Sequence, residues 1–255
     1  MARRIKPAEV EAPIIDGAKI PLEAVANGIN TYNEKSLHAA LKQWYAQDGD
    51  QMEVPVDGYV IDLVRGDLLI EIQTGSFSPL KRKLAKLVDT HPVRLVFPIP
   101  QEKWILQLAK AEGEPPHRRK SPWRGRVEHL FTELVYIPFL LEHANFTLEV
   151  LLTREEEVRH FDGKKAWRRK GWVTDDRRLM EVIDRRMFTT PEELAALLPA
   201  ALVEAFTARE LAKAMGQPVW LAQKMIYCLR KMRLVEQSGR KGRAYSYCRC
   251  ARDSQ

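Results

Sequence analysis

Cysteine is scarce in this sequence, and long apolar stretches are absent. The three cysteines are Cys228, Cys248 and Cys250, and no second Cys/His pair lies near enough to Cys248 and Cys250 to complete a tetrahedral metal site. The longest apolar run, Leu134 to Leu141, is far shorter than the roughly 18 residues of a membrane span. The N-terminal residues lack the apolar core of a secretory signal. These absences predict a cytoplasmic protein with free thiols and no membrane partner.

Positive charge is unevenly distributed along the chain. The 255 residues carry 41 Lys and Arg against 34 Asp and Glu, a net charge of +7. Residues 207–255 hold 11 of the basic and 3 of the acidic residues, a balance of +8, so the other 206 residues hold 30 and 31, a balance of −1. Because Lys and Arg neutralise phosphates, the basic segment predicts a polyanionic partner.

The same basic segment contains two predicted helices. Thr207-Ala-Arg-Glu210 has the form of a capping box, and Gly216 ends the helix that follows it. A second helix is predicted from Pro218 to about Lys231, with apolar residues at helical spacing on one face. The opposite face presents hydrogen-bond donors and flat rings, as a helix in the major groove would. Its residues are Gln217, Trp220, Lys224, Tyr227 and Lys231.

A basic, glycine-containing turn follows these helices. Residues 238–243 lie between two short β-rich segments and predict a hairpin. Helix, turn, helix and basic hairpin in this order resemble the winged helix-turn-helix family over residues 190–255, with an earlier helix at about 191–198 completing its core. The resemblance implies that Arg240, Lys241 and Arg243 contact phosphates or the minor groove of DNA. Winged helices also bind proteins, and the basic tip favours DNA.

Two carboxylates lie on one face of a predicted hairpin nearer the N-terminus. Two apolar strands flank an Arg-Gly turn, and with residues 65–66 as the loop Asp62 opposes Leu69. Strand alternation places Asp62, Glu71 and Gln73 on the same face of the sheet. Two acidic groups that converge form a hard-oxygen site suited to Mg²⁺ or Mn²⁺. Asp62 and Glu71 are therefore predicted metal ligands.

A predicted helix before this hairpin supplies a third carboxylate. The segment Thr31-Tyr-Asn-Glu34 can cap a helix that runs to about Ala46. Glu34 would lie at the start of that helix, on the side that packs against the domain, and would assist the two strand carboxylates. Gln73 would orient the attacking water or the phosphate.

The order helix-Glu, strand-Asp, strand-Glu-x-Gln, helix, strand resembles the PD-(D/E)XK nuclease superfamily, which includes restriction endonucleases and Holliday-junction resolvases. The following helix is predicted from Ser78 and the next strand at Val93 to Phe97. The resemblance implies an α/β domain at residues 31–185, with a restriction-endonuclease-like mixed sheet flanked by helices. An extension at 1–30 would precede it, and an α+β winged-helix domain at 190–255 would follow.

The resemblance implies a Mg²⁺- or Mn²⁺-dependent deoxyribonuclease that the winged helix positions on DNA. Many duplex-cutting relatives act as homodimers, which makes a homodimer an expectation here also. One residue departs from the pattern, because Gln73 stands where the third motif residue is usually Lys. Lys81 or Lys83 on the next helix could supply that charge. The alternative is a non-catalytic DNA-binding regulator or adaptor that keeps a degenerate nuclease fold.

Other candidates remain open at this level. Asp57 is a second candidate for the strand ligand, although a turn position is favoured for it. The basic loop at 112–126, which includes Trp123, and the basic-aromatic patch at 164–170 could guide a nucleic-acid strand or be solvated surface. Residues 127–142 predict an apolar helix that Pro138 kinks or splits. The acidic run at 155–157 is expected to be a solvated face.

Overall fold

The computed structural model describes residues 14–15, 18–19, 36–110 and 114–250. Glu34 lies outside the described residues, as does most of the predicted extension at 1–30. The first elements are β1 (Ile14–Ile15), β2 (Ala18–Lys19), α1 (Ser36–Tyr45), β3 (Gln51–Val56), β4 (Tyr59–Arg65), β5 (Leu68–Ile72) and α2 (Lys81–Leu87). The next are β6 (Val93–Gln107), β7 (His117–Lys120), α3 (Phe131–Leu134), β8 (Phe146–Phe161) and β9 (Trp172–Phe188). The last are α4 (Pro191–Ala195), β10 (Phe206–Thr207), α5 (Ala208–Met215), α6 (Val219–Lys231), β11 (Val235–Lys241) and β12 (Ala244–Arg249).

Seven of the described strands form one mixed sheet. Its order is β3-β4-β5-β6-β8-β9, and β7 pairs with the far end of β6. Strands β3, β4 and β5 form an antiparallel meander, whereas β6 is parallel to both β5 and β8. The α/β class with a mixed sheet flanked by helices is therefore confirmed.

The hairpin of β4 and β5 has a different register from the predicted one. Its turn is Gly66-Asp67, because Arg65 pairs with Leu68 and Leu63 with Ile70. Gly66 has a φ of 58°, which suits the first position of a two-residue turn, where glycine meets no steric penalty. In the predicted loop, Arg65-Gly66, this glycine was the second residue of the turn, whereas in the structure it is the first. The pairing therefore shifts by two residues, an even step that does not by itself turn a side chain to the other face.

Strand β6 continues ten residues beyond the predicted Phe97 and contains two prolines. Pro98 and Pro100 lie past Val96, where the pairing with β5 ends. The carbonyl of Pro100 points to that open side, where it accepts a hydrogen bond from the Gly125 amide at 3.0 Å. Proline lacks an amide hydrogen, so it is tolerated where no neighbouring strand needs one.

The two faces of the sheet carry cores of different size. Helix α1 covers one face, where Leu37 and Leu41 pack with Leu63, Ile70 and Ile72. On the other face a larger continuous core runs from α2 through residues 127–142 into α5 and α6. The predicted helix over 127–142 is wrong in extent, because the segment forms only short helical turns, at Val127–Leu130, Phe131–Leu134 and Leu140–Glu142.

The acidic run at 155–157 is largely buried, so its prediction as a solvated face is wrong. Glu155 and Glu157 are 1% and 6% exposed. They lie on the long hairpin of β8 and β9, where Arg177 pairs with Glu155 at 2.8 Å and Lys103 with Glu157 at 3.1 Å. The acidic run by itself could not show that cations from the neighbouring strands β6 and β9 would pair with it.

Glu157 offers a test of this buried network by pH. Burial alone would raise its pKa, but hydrogen bonds from Thr174 and Arg159 and the charge of Lys103 lower it from 4.5 to about 2. The stabilisation is complete above the unfolded pKa of about 4.5 and is lost as pH falls towards about 2. We expect Glu157→Gln to lower the free energy of unfolding by about 2 kcal/mol at neutral pH. Urea denaturation at a series of pH values measures this, with the exposed Glu142→Gln as control. If the difference in unfolding free energy between wild type and Glu157→Gln stays the same at low pH, the assignment is wrong.

The C-terminal elements pack around a small second sheet. Its order is β10-β12-β11, and the turn between β11 and β12 lies at residues 242–243. The predicted capping box is confirmed: the Glu210 amide donates to Thr207 Oγ1 and the Thr207 amide donates to Glu210 Oε2. The predicted helix order and hairpin are also present, but the predicted turn at 238–243 is too long, because β11 continues to Lys241. No helix in the described ranges is long and apolar enough to cross a membrane.

Candidate metal and nucleic-acid site

Asp62 interrupts the backbone pairing of the central hairpin. The described pairing of β4 with β5 ends at Leu63 and Ile70. One step further, the Ile72 amide donates to Asp62 Oδ2 at 2.8 Å, so a side-chain carboxylate takes the place of a backbone carbonyl. Asp62 and Glu71 lie close enough together that the charge of Asp62 raises the pKa of Glu71.

The surroundings of Asp62 keep it ionised. Burial would raise its pKa, but hydrogen bonds from His38 and the Ile72 amide, with the charges of His38 and Lys42, outweigh burial and lower the pKa. The His38 Nε2 to Asp62 Oδ2 distance is 3.2 Å, and the two side chains are 21% and 16% exposed. His38 thus holds the Asp62 carboxylate in place from α1.

Glu71 lies in a contrasting environment. Burial and the neighbouring charge of Asp62 raise its pKa, and the Lys83 ammonium only partly offsets them. Lys83 Nζ lies 2.7 Å from each oxygen of Glu71 and 2.6 Å from the Val60 carbonyl oxygen. Both side chains are 12% exposed. Of the two lysines that the sequence offered, Lys83 is the one that reaches the site.

The arrangement brings two carboxylates and an ammonium together at one end of the hairpin. Two carboxylates whose environments separate their pKa values are a common mark of acid–base or metal chemistry. Glu71, with its raised pKa, gains most from an added positive charge. No group of three or more His, Cys, Asp or Glu side chains that could hold a metal is found within residues 36–110 and 114–250. Asp62 and Glu71 are two carboxylates, one fewer than such a group contains.

Gln73 and Asp57 lie at the margins of this site. The Gln73 amide nitrogen donates to the Ser76 carbonyl at 2.7 Å, so this side chain braces the loop that follows β5. Asp57 lies in the β3–β4 turn with a φ of 51°. Its Oδ2 is 3.1 Å from His91 Nε2. The turn position that the sequence favoured for Asp57 is confirmed.

One side of the predicted recognition face packs against the large-sheet domain. Lys224 Nζ donates to the Thr132 carbonyl at 3.0 Å, and Trp220, 48% exposed, lines a pocket with Thr132. Gln217 is half-buried at the start of the helix. Lys231 remains exposed, with its Nζ 5.8 Å from the centre of the Tyr227 ring. The sequence could not reveal that part of this helix face contacts residues 131–134.

The open side of α6 faces the hairpin of β11 and β12 across a cleft of about 340 Å³. Tyr227, from the predicted set, lines it together with Gln223 and Arg230 of α6. Arg209 at the start of α5 and Arg243 at the hairpin turn add two further cations. We call this the wing cleft. Sequence reasoning missed Arg209, Gln223 and Arg230, although Gln223 and Arg230 continue the exposed spacing of Tyr227 along α6.

The three predicted wing-tip cations differ in how strongly neighbouring groups bind them. Arg243 is exposed and lines the wing cleft. Arg240 lies over the Tyr245 ring, 4.7 Å from its centre. Lys241 Nζ donates to the Ala205 carbonyl at 2.6 Å and lies 3.1 Å from Glu210. Lys241 therefore joins the hairpin to the capping box of α5, and its charge is partly neutralised there.

Comparison with known proteins identifies the family of this chain. The model of the family described as "Domain of unknown function (DUF8091)" matches residues 35–189, and the chain belongs to that family. The matched segment ends one residue after β9. The chain is also similar to a protein described as "Uncharacterized protein" from Treponema pallidum (strain Nichols), at 33% identity over 186 residues, 72% of this chain and 74% of the relative. No solved structure matches significantly.

Proposed function

We propose that this protein hydrolyses phosphodiester bonds of DNA with a divalent metal ion, Mg²⁺ or Mn²⁺, held by Asp62 and Glu71. The observation that carries the proposal is the convergence of Asp62, Glu71 and Lys83 where the pairing of β4 and β5 ends. Two acids and one lysine at the opening of a hairpin form the charge set that phosphodiester hydrolysis requires.

The element order supports a restriction-endonuclease-like fold for the large sheet. Helix α1, the antiparallel meander β3-β4-β5, helix α2 and the parallel strand β6 follow one another along the chain. This is the order of the PD-(D/E)XK superfamily, with the acidic residues on its second and third strands. Lys83 on α2 supplies the lysine that the third motif lacks at Gln73.

The donor set fits Mg²⁺ or Mn²⁺. Both are hard cations that prefer carboxylate oxygens, and Mg²⁺ often binds through one or two carboxylates while it keeps several waters. Burial and the charge of Asp62 raise the pKa of Glu71, and a bound dication would oppose both effects. Glu71 would share its oxygens between the metal and Lys83.

The side chains divide the chemistry among them. A bound metal would lower the pKa of a coordinated water and offset charge on the phosphate. His38 holds Asp62 ionised and oriented. Lys83 would donate a hydrogen bond to a non-bridging phosphate oxygen, which gains charge as the new P–O bond forms and the leaving P–O bond breaks. The water proton passes to solvent or to a nearby base, and the leaving oxygen takes up another proton.

The C-terminal elements would position the substrate. Their order, three helices and a hairpin with a three-stranded sheet, supports a winged helix. The wing cleft presents Arg209, Arg230 and Arg243 with Gln223 and Tyr227. These cations would contact phosphates, and the amide and phenol would contact base edges.

The Lys83–Glu71 pair also favours a second candidate, a DNA-binding regulator without catalysis. An ammonium at 2.7 Å from both Glu71 oxygens neutralises much of the site without any metal. In that function the carboxylates would be structural, and DNA binding would need no cation.

Incubation of the purified protein with supercoiled plasmid and with single-stranded DNA, in Mg²⁺, Mn²⁺ or EDTA, separates the two functions. We expect cleavage with either metal and none in EDTA. Salt-sensitive binding without cleavage under any of these conditions would favour the regulator. Cleavage that continues in EDTA would contradict a metal-dependent site.

A further inference from the structure

A strongly basic cleft lies beside the tip of the β8–β9 hairpin. It encloses about 640 Å³, and Lys103, Lys165, Arg169 and Arg177 line it. Glu157 is the only acidic residue among its lining residues. We call it the hairpin cleft. Its cations come from β6, β9 and the hairpin tip, so the fold gathers them from separate stretches of sequence.

The cations of the hairpin cleft exceed the carboxylates beneath them. Glu157 contacts Lys103 at 3.1 Å, Arg159 at 2.8 Å and Arg169 at 3.7 Å, and Glu155 pairs with Arg177. Among the residues that line the cleft, the four cations Lys103, Lys165, Arg169 and Arg177 meet one carboxylate, Glu157, which leaves a balance of +3. The two buried acids hold the basic groups in place without neutralising them, which prepares the cleft for a polyanion.

A second cavity adjoins the hairpin cleft at Arg177, which lines both. This cavity, of about 400 Å³, contains Trp123 and Trp220, and we call it the tryptophan pocket. The two rings are 40% and 48% exposed, and Lys103 Nζ lies 5.4 Å from the centre of the Trp123 ring. Cations beside exposed flat rings are typical of surfaces on which unpaired bases stack.

The tryptophan pocket reaches the loop that follows Gln73. Thr74, Gly75 and Ser76 line it, and the Thr74 carbonyl accepts a hydrogen bond from Arg177 at 3.0 Å. A strand in the two cavities would therefore approach the end of β5, the strand that carries Glu71. In a duplex the bases stack on each other and are not free to stack on these rings, so the aromatic lining favours a single strand.

We propose that the hairpin cleft and the tryptophan pocket together bind single-stranded nucleic acid and lead it to the loop at 74–76. This assignment rests on the proposed function, since it names the form of substrate that enters that site. The phosphates lie along Lys103, Lys165 and Arg169, and bases stack on Trp123.

Binding of fluorescent oligothymidylate, measured by anisotropy in EDTA over a range of salt concentrations, tests this surface. We expect the double variant Lys165→Ala/Arg169→Ala to weaken binding about tenfold at low salt. It should also reduce the slope of log K against log salt by about 1.4, because two phosphate contacts are lost. Trp123→Ala should weaken binding by roughly tenfold with the slope unchanged, and Trp123→Phe should restore most of it.

A charge-matched control lies on the opposite face of the same sheet. Arg118 and Arg178 pair with Glu156, which alternates with Glu155 and Glu157 along β8. Arg118→Ala/Arg178→Ala should leave binding within twofold. An equal loss in this control, or a loss of duplex affinity in Lys165→Ala/Arg169→Ala as large as the loss of single-strand affinity, would overturn the proposal.

The binding assay also separates this proposal from the proposed function. EDTA removes any metal, so binding is measured without catalysis. A protein that binds the strand as expected and cleaves nothing refutes hydrolysis alone. A protein that cleaves single strands with an unchanged KM in the Lys165→Ala/Arg169→Ala variant refutes the binding surface alone.

Discussion

Asp62→Asn is expected to reduce metal-dependent cleavage by roughly 10³-fold, since several kcal/mol of charge stabilisation depend on the bound metal. Asparagine has nearly the same shape and keeps one oxygen to accept from the Ile72 amide. It removes the charge that a dication needs and that His38 now faces. Initial rates at saturating metal, with thermal unfolding measured alongside, distinguish loss of chemistry from loss of fold.

Asp57→Asn is the matched control for this substitution. Asp57 is the other acid that the sequence offers as a strand ligand, and asparagine tolerates its φ of 51°. We expect cleavage within about threefold of the wild-type rate, since Asp57 faces His91 in the β3–β4 turn. If Asp57→Asn abolishes cleavage and Asp62→Asn does not, the ligand has been assigned to the wrong acid.

Lys83→Met should have the second-largest effect, a loss of roughly 10²-fold carried mainly by kcat. Lys83 is the cation nearest to the scissile phosphate in the proposed site, and removal of one preorganised donor commonly costs about this much. Its loss also removes the ammonium that restrains the raised pKa of Glu71. The rising limb of the pH–rate profile should therefore move to higher pH, because a larger fraction of Glu71 stays protonated.

Lys81→Met, on the same helix, is the control for Lys83. Lys81 is exposed, and its loss should leave both the rate and the pH profile unchanged. A structural ion pair predicts another pattern for Lys83→Met: a lower free energy of unfolding, with any cleavage unchanged. That pattern would rule out a role of Lys83 at the phosphate.

Sequence patterns predicted the elements around the site better than their contacts. Alternation predicted Asp62 and Glu71 near each other, and their charges do interact, but α1 holds Asp62 and α2 holds Glu71 from the two faces of the sheet. The predicted register of the hairpin was wrong by two residues. The error came from the turn, because the position of Gly66 within a two-residue loop depends on backbone angles that composition does not fix. Lys83 was one of two open choices, since helix spacing alone could not determine which lysine reaches Glu71.

Contacts between distant segments were beyond prediction. From the sequence, His38, four residues after Glu34, could flank the site or be a partly buried structural histidine. Its contact with Asp62, 24 residues later, follows only from the packing of α1 on the sheet. The burial of Glu155 and Glu157 depends on cations from β6 and β9. In α6, apolar spacing identified the buried face correctly. Part of the face predicted to be exposed contacts residues 131–134, through Lys224. Each of these features arises from tertiary packing, which a local pattern does not record.

The continuous core that joins the large sheet to α5 and α6 has a consequence for where a substrate would be cut. Two modules on a flexible tether sample many separations, so their joint action depends on linker length. Here Arg126 donates to the Met215 carbonyl at 2.9 Å, and Lys224 donates to the Thr132 carbonyl, so the two parts are held at one spacing. The fixed distance between the wing cleft and the Asp62–Glu71 site would therefore set how far from the bound DNA segment the strand is cut.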